Sequence, residues 1–142
     1  MGVYRGIAQD NVTINSGTAT LQTLTVTGTL TASGGVTGSV RLPVAAVAAA
    51  GANQGNAAAL SEGLNVVSAA DGTKGVRLPT AVAGTVVIVK NTAAGALLIY
   101  PATGAAINAV AVNGSYSITN LTSTMLVASS ATQWYSVPLV AS

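Results

Sequence analysis

Histidine, cysteine and phenylalanine are all absent from this chain of 142 residues. Without histidine no imidazole can serve as a general base near neutral pH, and no Ser-His-Asp constellation can be assembled. Without cysteine there is no disulfide framework, no thiolate nucleophile and no thiolate metal site. A small secreted domain commonly carries disulfides, so their lack favours assembly in a reducing cytoplasm.

Charge is nearly as scarce. The basic residues are Arg5, Arg41, Lys74, Arg77 and Lys90, and the acidic ones Asp10, Glu62 and Asp71. A net charge of +2 spread this thinly does not build a nucleic-acid groove or a stripe for an anionic membrane. The three carboxylates are far apart in sequence, which argues against a catalytic acid pair and against a calcium loop of the EF-hand type. The stretch Asp71-Gly72-Thr73-Lys74-Gly75 lacks the Gly-Lys-Ser/Thr order of a phosphate loop. A Ser-Lys dyad would have to use Lys74 or Lys90, which read as a turn residue and a solvated strand end. The expectation is therefore no enzyme, no cofactor and no bound metal.

From Asn91 to Ser142 there is no charged residue at all, where an ordinary soluble chain is about one quarter charged. Exposed Thr, Ser and Asn supply part of the solvation; burial of surface in an oligomer or larger assembly supplies the rest. Long hydrophobic runs are missing too. The most apolar uncharged stretch, 42–61, is mostly alanine and is broken by Pro43, Gly51, Asn53, Gln54, Gly55 and Asn56, so no membrane span is expected. The opening Met1-Gly2-Val3-Tyr4-Arg5-Gly6 carries no apolar core of signal-peptide type.

What the chain does have is short strand-like runs. Leu64–Ser68, Val76–Leu78, Thr85–Lys90, Leu97–Tyr100, Ser115–Ile118, Thr124–Ala128 and Gln133–Pro138 are rich in β-branched or aromatic residues. Turn clusters such as Asp71–Gly75, Asn91–Gly95, Pro101–Gly104 and Asn113-Gly114 separate them. Runs of this length and spacing predict an all-β fold, an antiparallel β-sandwich or jelly-roll-like domain over 61–142. Trp134 is assigned to its core, as the one very large side chain among Val, Ala and Leu. Tyr100, Tyr116 and Tyr135 are left as candidates for a sugar-stacking surface.

Ahead of that domain, residues 1–39 read as an extended N-terminal β arm. Threonine alternates strictly with Leu24, Val26, Gly28, Leu30 and Ala32, the period-2 pattern of a strand that needs a partner for its apolar face. Leu24, Val26 and Leu30 are the candidate inter-subunit residues, and Tyr4, Arg5 and Asp10 the candidate attachment residues. Ser33–Ser39 is a glycine hinge. Residues 40–60 read as an alanine-rich linker with a turn of helix. Val40-Arg41-Leu42-Pro43 recurs as Val76-Arg77-Leu78-Pro79, which reads as reuse of a strand-ending motif rather than a structural duplication.

Four strings carry a family resemblance: Gly75-Val76-Arg77-Leu78-Pro79, Gly84-Thr85-Val86-Val87-Ile88-Val89-Lys90-Asn91-Thr92, Leu97-Leu98-Ile99-Tyr100-Pro101-Ala102-Thr103-Gly104 and Ala131-Thr132-Gln133-Trp134-Tyr135-Ser136. Together they resemble a β-rich module of tailed-phage virion proteins, fibre and capsid-decoration proteins among them, over about 64–137. The resemblance implies a virion surface protein made in the host cytoplasm. The leading expectation is a homotrimeric capsid decoration (cement) protein on the outer capsid surface, with the major capsid protein as partner and neither nucleic acid nor membrane. In that reading Tyr4, Arg5 and Asp10 contact the capsid. The alternative is a short head or tail fibre protein whose domain binds a host-surface glycan.

Overall fold

The computed structural model describes residues 25–27, 30–31, 33–35 and 37–139. The chain divides into two units, Met1–Ser39 and Val40–Ser142. In the first, residues 25–27 and 30–31 are not in a strand; the remainder of the alternating stretch lies outside the described residues. Gly35 and Gly38 take the left-handed backbone, φ +83° and +134°, that glycine adopts without a steric penalty.

The described residues of the second unit form ten strands: β1 (Val44–Ala48), β2 (Ala58–Ala59), β3 (Gly63–Ser68), β4 (Gly75–Arg77), β5 (Val86–Asn91), β6 (Leu97–Tyr100), β7 (Ala106–Ile107), β8 (Tyr116–Ile118), β9 (Ser123–Ala128) and β10 (Gln133–Leu139). Most of these fall where the β-branched runs place them. Their pairing differs from the expected one. Through β6, successive strands alternate between two sheets instead of pairing with each other, so that β1, β3 and β5 lie side by side in parallel, and β2, β4 and β6 do the same. This is a β-solenoid of three stacked coils, and the antiparallel sandwich or jelly roll is incorrect.

The physical reason lies at the corners. A hairpin requires the chain to reverse beside itself, usually through two to five residues. Here the stretch after β3 is tied to its neighbouring coils: Ala49 N donates to Ser68 O (2.8 Å) and Gly72 N to Ala96 O (2.9 Å). Asn91, at the end of β5, donates from Nδ2 to the carbonyls of Gly95 (2.9 Å) and Thr119 (3.1 Å), while its Oδ1 accepts from Ala93 N (3.0 Å). Thr92 hangs on Val67 O through both its amide and its hydroxyl, each at 2.8 Å. Each corner therefore bonds to the equivalent corner one coil away. The approach is close: a methyl on Gly95 would sit 2.5 Å from Asp71 Cα.

The alanine-rich stretch 40–60, read as a linker, contributes β1 and β2, the strands of the first coil. The Val-Arg-Leu-Pro recurrence does not mark a coil repeat. Val44 stands opposite Leu64 and Leu64 opposite Ile88, offsets of 20 and 24 residues against the 36 of the motif. Val40 and Leu42 are exposed, whereas Val76 and Leu78 are buried.

After the coils, β8 joins β6 and β9 joins β5, both antiparallel, and β10 returns beside β9. The sheet orders are β1-β3-β5-β9-β10-β7 and β2-β4-β6-β8. Pro138 has no amide to donate and lies where β10 has a neighbour on one side only, since β7 pairs only with Gln133 and Trp134. One buried cluster unites Val67, Val87, Val89, Leu126, Trp134 and Ile107 of the larger sheet with Val76, Leu97, Ile99 and Ile118 of the smaller.

Candidate binding surfaces

Four of the charged side chains of the second unit, Asp71, Lys74, Arg77 and Lys90, are engaged within it. Asp71 closes its turn by accepting at Oδ1 from the Thr73 hydroxyl (2.8 Å) and amide (3.0 Å) and from the Lys74 amide (3.0 Å), while Lys74 Nζ lies 3.0 Å from Oδ2. The hydrogen bonds from Thr73 and then Lys74 hold this carboxyl well below the usual carboxylate range. Both side chains of the ion pair are exposed, so the pair itself adds little stability. Arg77 Nη1 donates to Gln54 O at 3.2 Å, and Lys90 Nζ to Leu121 O at 2.6 Å. Among the described residues no three metal-ligating side chains come together.

Two open grooves mark the surface. The larger, about 390 Å³, lies among Arg77, Leu78, Pro79, Thr80, Thr103 and Ala131 and has Arg77 as its one ionisable group. The smaller, about 250 Å³, runs past Tyr116, Thr119, Thr122 and Leu139 with no ionisable group except the tyrosine. Neither holds a nucleophile beside a base.

Among the described residues the aromatic side chains do not assemble into a platform. Trp134 is fully buried, in the core as its size implies, although its indole Nε1 has no hydrogen-bond partner. Tyr100 is 8% exposed and its hydroxyl donates to Ala52 O at 3.0 Å, tying the corner between β1 and β2 to β6. Tyr116 packs against the core cluster, and Tyr135, 54% exposed, stands on the outer face of the larger sheet. The three lie on separate surfaces because Tyr116 is paired with Ile99, not Tyr100, and because Tyr135 belongs to the other sheet.

Of the residues singled out for assembly, Val26 and Leu30 are 42% and 61% exposed, while Tyr4, Arg5, Asp10 and Leu24 lie outside the described residues. What the sequence reading passed over is the outer face of the larger sheet. Register places Val44, Leu64, Ile88, Met125 and Val137 side by side across five strands. A second row runs Ala46, Val66, Lys90, Ser123 and Leu139, and a third Val86, Val127 and Tyr135. The signal was present in the run Val86-Val87-Ile88-Val89, which is apolar on both faces of its strand instead of alternating.

No family model, curated protein or solved structure matches this chain.

Proposed function

We propose that this protein is a non-enzymatic structural protein of a phage virion, a capsid decoration protein that acts as a homotrimer on the outer surface of the head. Each subunit bridges neighbouring capsid proteins, so that losing one capsomer requires breaking decoration contacts as well, and many copies act together through avidity. The observation that supports this reading best is the largely apolar outer face of the larger sheet, whose one charge is Lys90, a surface suited to assembly and not to chemistry. A rigid solenoid whose corners are tied coil to coil also fits a mechanical part. The fibre alternative draws less support, since its glycan platform called for clustered tyrosines.

The test is co-sedimentation of the purified protein with empty phage heads. Saturable binding at high copy number, with heads that survive heating better when decorated, is the expected result. No binding to heads, together with binding to host cells, would favour the fibre.

A further inference from the structure

We infer that the outer face of the β1-β3-β5-β9-β10 surface is an interface to further copies of this same chain. It goes beyond the homotrimer of the proposed function, since a face that meets its own copy makes a two-fold contact between subunits, and it is independent of the capsid. The central row, Val44, Leu64, Ile88, Met125 and Val137, contains no polar side chain across its whole width. Its two ends are the most open, Val44 at 67% and Val137 at 44% exposure.

The one charge on the face does not interrupt it. Lys90 reaches with its ammonium to Leu121 O, 2.6 Å away, and so presents its hydrocarbon stem to the face. No acidic side chain stands in the three rows, so the surface offers nothing for a basic partner to complement, and its one cation, Lys90, is already bonded to a carbonyl.

The shape is that of a pleated sheet: the two grooves described above take in no residue of the central row, the smaller touching the face only at Ser123 and Leu139, at the end of its second row. A helix or an extended peptide docks in a groove or on an edge. A broad aliphatic pleated face is matched by another such face, with side chains interdigitating across about 10 Å.

Size agrees with a copy as the occupant. Five strands about 4.8 Å apart, carrying rows spread over about 20 Å of strand, make a patch on the order of 480 Å². A patch of that size lies within the range of the largest apolar patch on a monomer, where such patches are often functional, and two such faces together bury about 1,000 Å², the threshold for a specific interface.

The experiment compares the full chain with a Val44→Glu/Val137→Glu double variant and with Val112→Glu as control. Val44, Val137 and Val112 are all exposed, so the substitutions threaten the assembly and not the fold, and Val112 lies off the face in the turn before β8. Far-UV circular dichroism of each protein checks the fold, and sedimentation equilibrium reads the mass. The expected result is an oligomer for the wild type and for Val112→Glu, and half that mass for the double variant with an unchanged spectrum. A wild-type monomer would overturn the inference, as would a double variant that keeps the oligomeric mass. Head binding, measured separately, tells failure of this interface from failure of the decoration reading: an oligomer that ignores heads leaves the interface standing.

Discussion

The larger sheet has two faces built from the same strands and nearly the same residue types, and they differ in what covers them. On the inner face Val67, Val87, Val89, Leu126 and Trp134 are completely buried against the smaller sheet. On the outer face Val44, Tyr135, Val137 and Leu139 stand open, and Leu64, Ile88 and Met125 are shielded only in part by their neighbours. An antiparallel sheet that ends at water normally alternates apolar and polar residues. Here β5 does not alternate, and the difference between the faces is one of cover, not composition.

The inner face is where substitutions should cost most. Leu126→Ala removes a fully buried side chain and is expected to lower unfolding free energy by about 2–5 kcal/mol in urea titration. A loss no greater than that of an outer-face substitution would erase the distinction.

The inner face also tolerates polar groups where their hydrogen bonds are complete. Asn65 is wholly buried; its Nδ2 donates to Ser61 O (2.9 Å) and its Oδ1 accepts from Ser61 N (3.2 Å). Asn65→Ala strands the Ser61 amide and carbonyl, with an expected loss of about 1–3 kcal/mol.

On the outer face, Ile88→Ala should cost about 1 kcal/mol or less in a dilute monomeric sample, the range of strand-surface substitutions. Its effect should grow with protein concentration, because association stabilises the folded state by mass action. Melting temperatures recorded over a concentration series check this, and a concentration-independent difference would remove the outer face from any interface.

The smallest effect belongs to the Asp71 turn, away from both faces. Its carboxyl is depressed in the folded protein, so its contribution is present above the unfolded value of about 4 and is lost as pH falls through the folded one. Asp71→Asn should remove the part of that contribution that depends on the charge, a small loss of stability at pH 7 that shrinks as pH falls below about 4, so that the acid limb is flatter than in the wild type. An unchanged acid limb would show that the Thr73 and Lys74 hydrogen bonds carry no linkage.

The positions of β3, β5, β6, β8, β9 and β10 were legible because β-branched runs bounded by turn residues are local signals. Their order was not, because pairing depends on where each corner sends the chain. Asn91 and Thr92 read as turn residues, yet their bonds go to Thr119 and Val67, contacts between segments distant in sequence. In β1, Val44–Ala48, alanine favours helix, and the strand forms because β3 offers a free parallel edge. The outer-face row required register: Met125 and Ile88 are 37 positions apart and meet only through the β5–β9 ladder.

Sedimentation equilibrium of the full-length wild type, run beside the Val44→Glu/Val137→Glu variant, tests most directly that the larger sheet has one face for the fold and one for assembly. An oligomeric wild type beside a folded variant of half its mass is the expected outcome, and the same mass for both would contradict it.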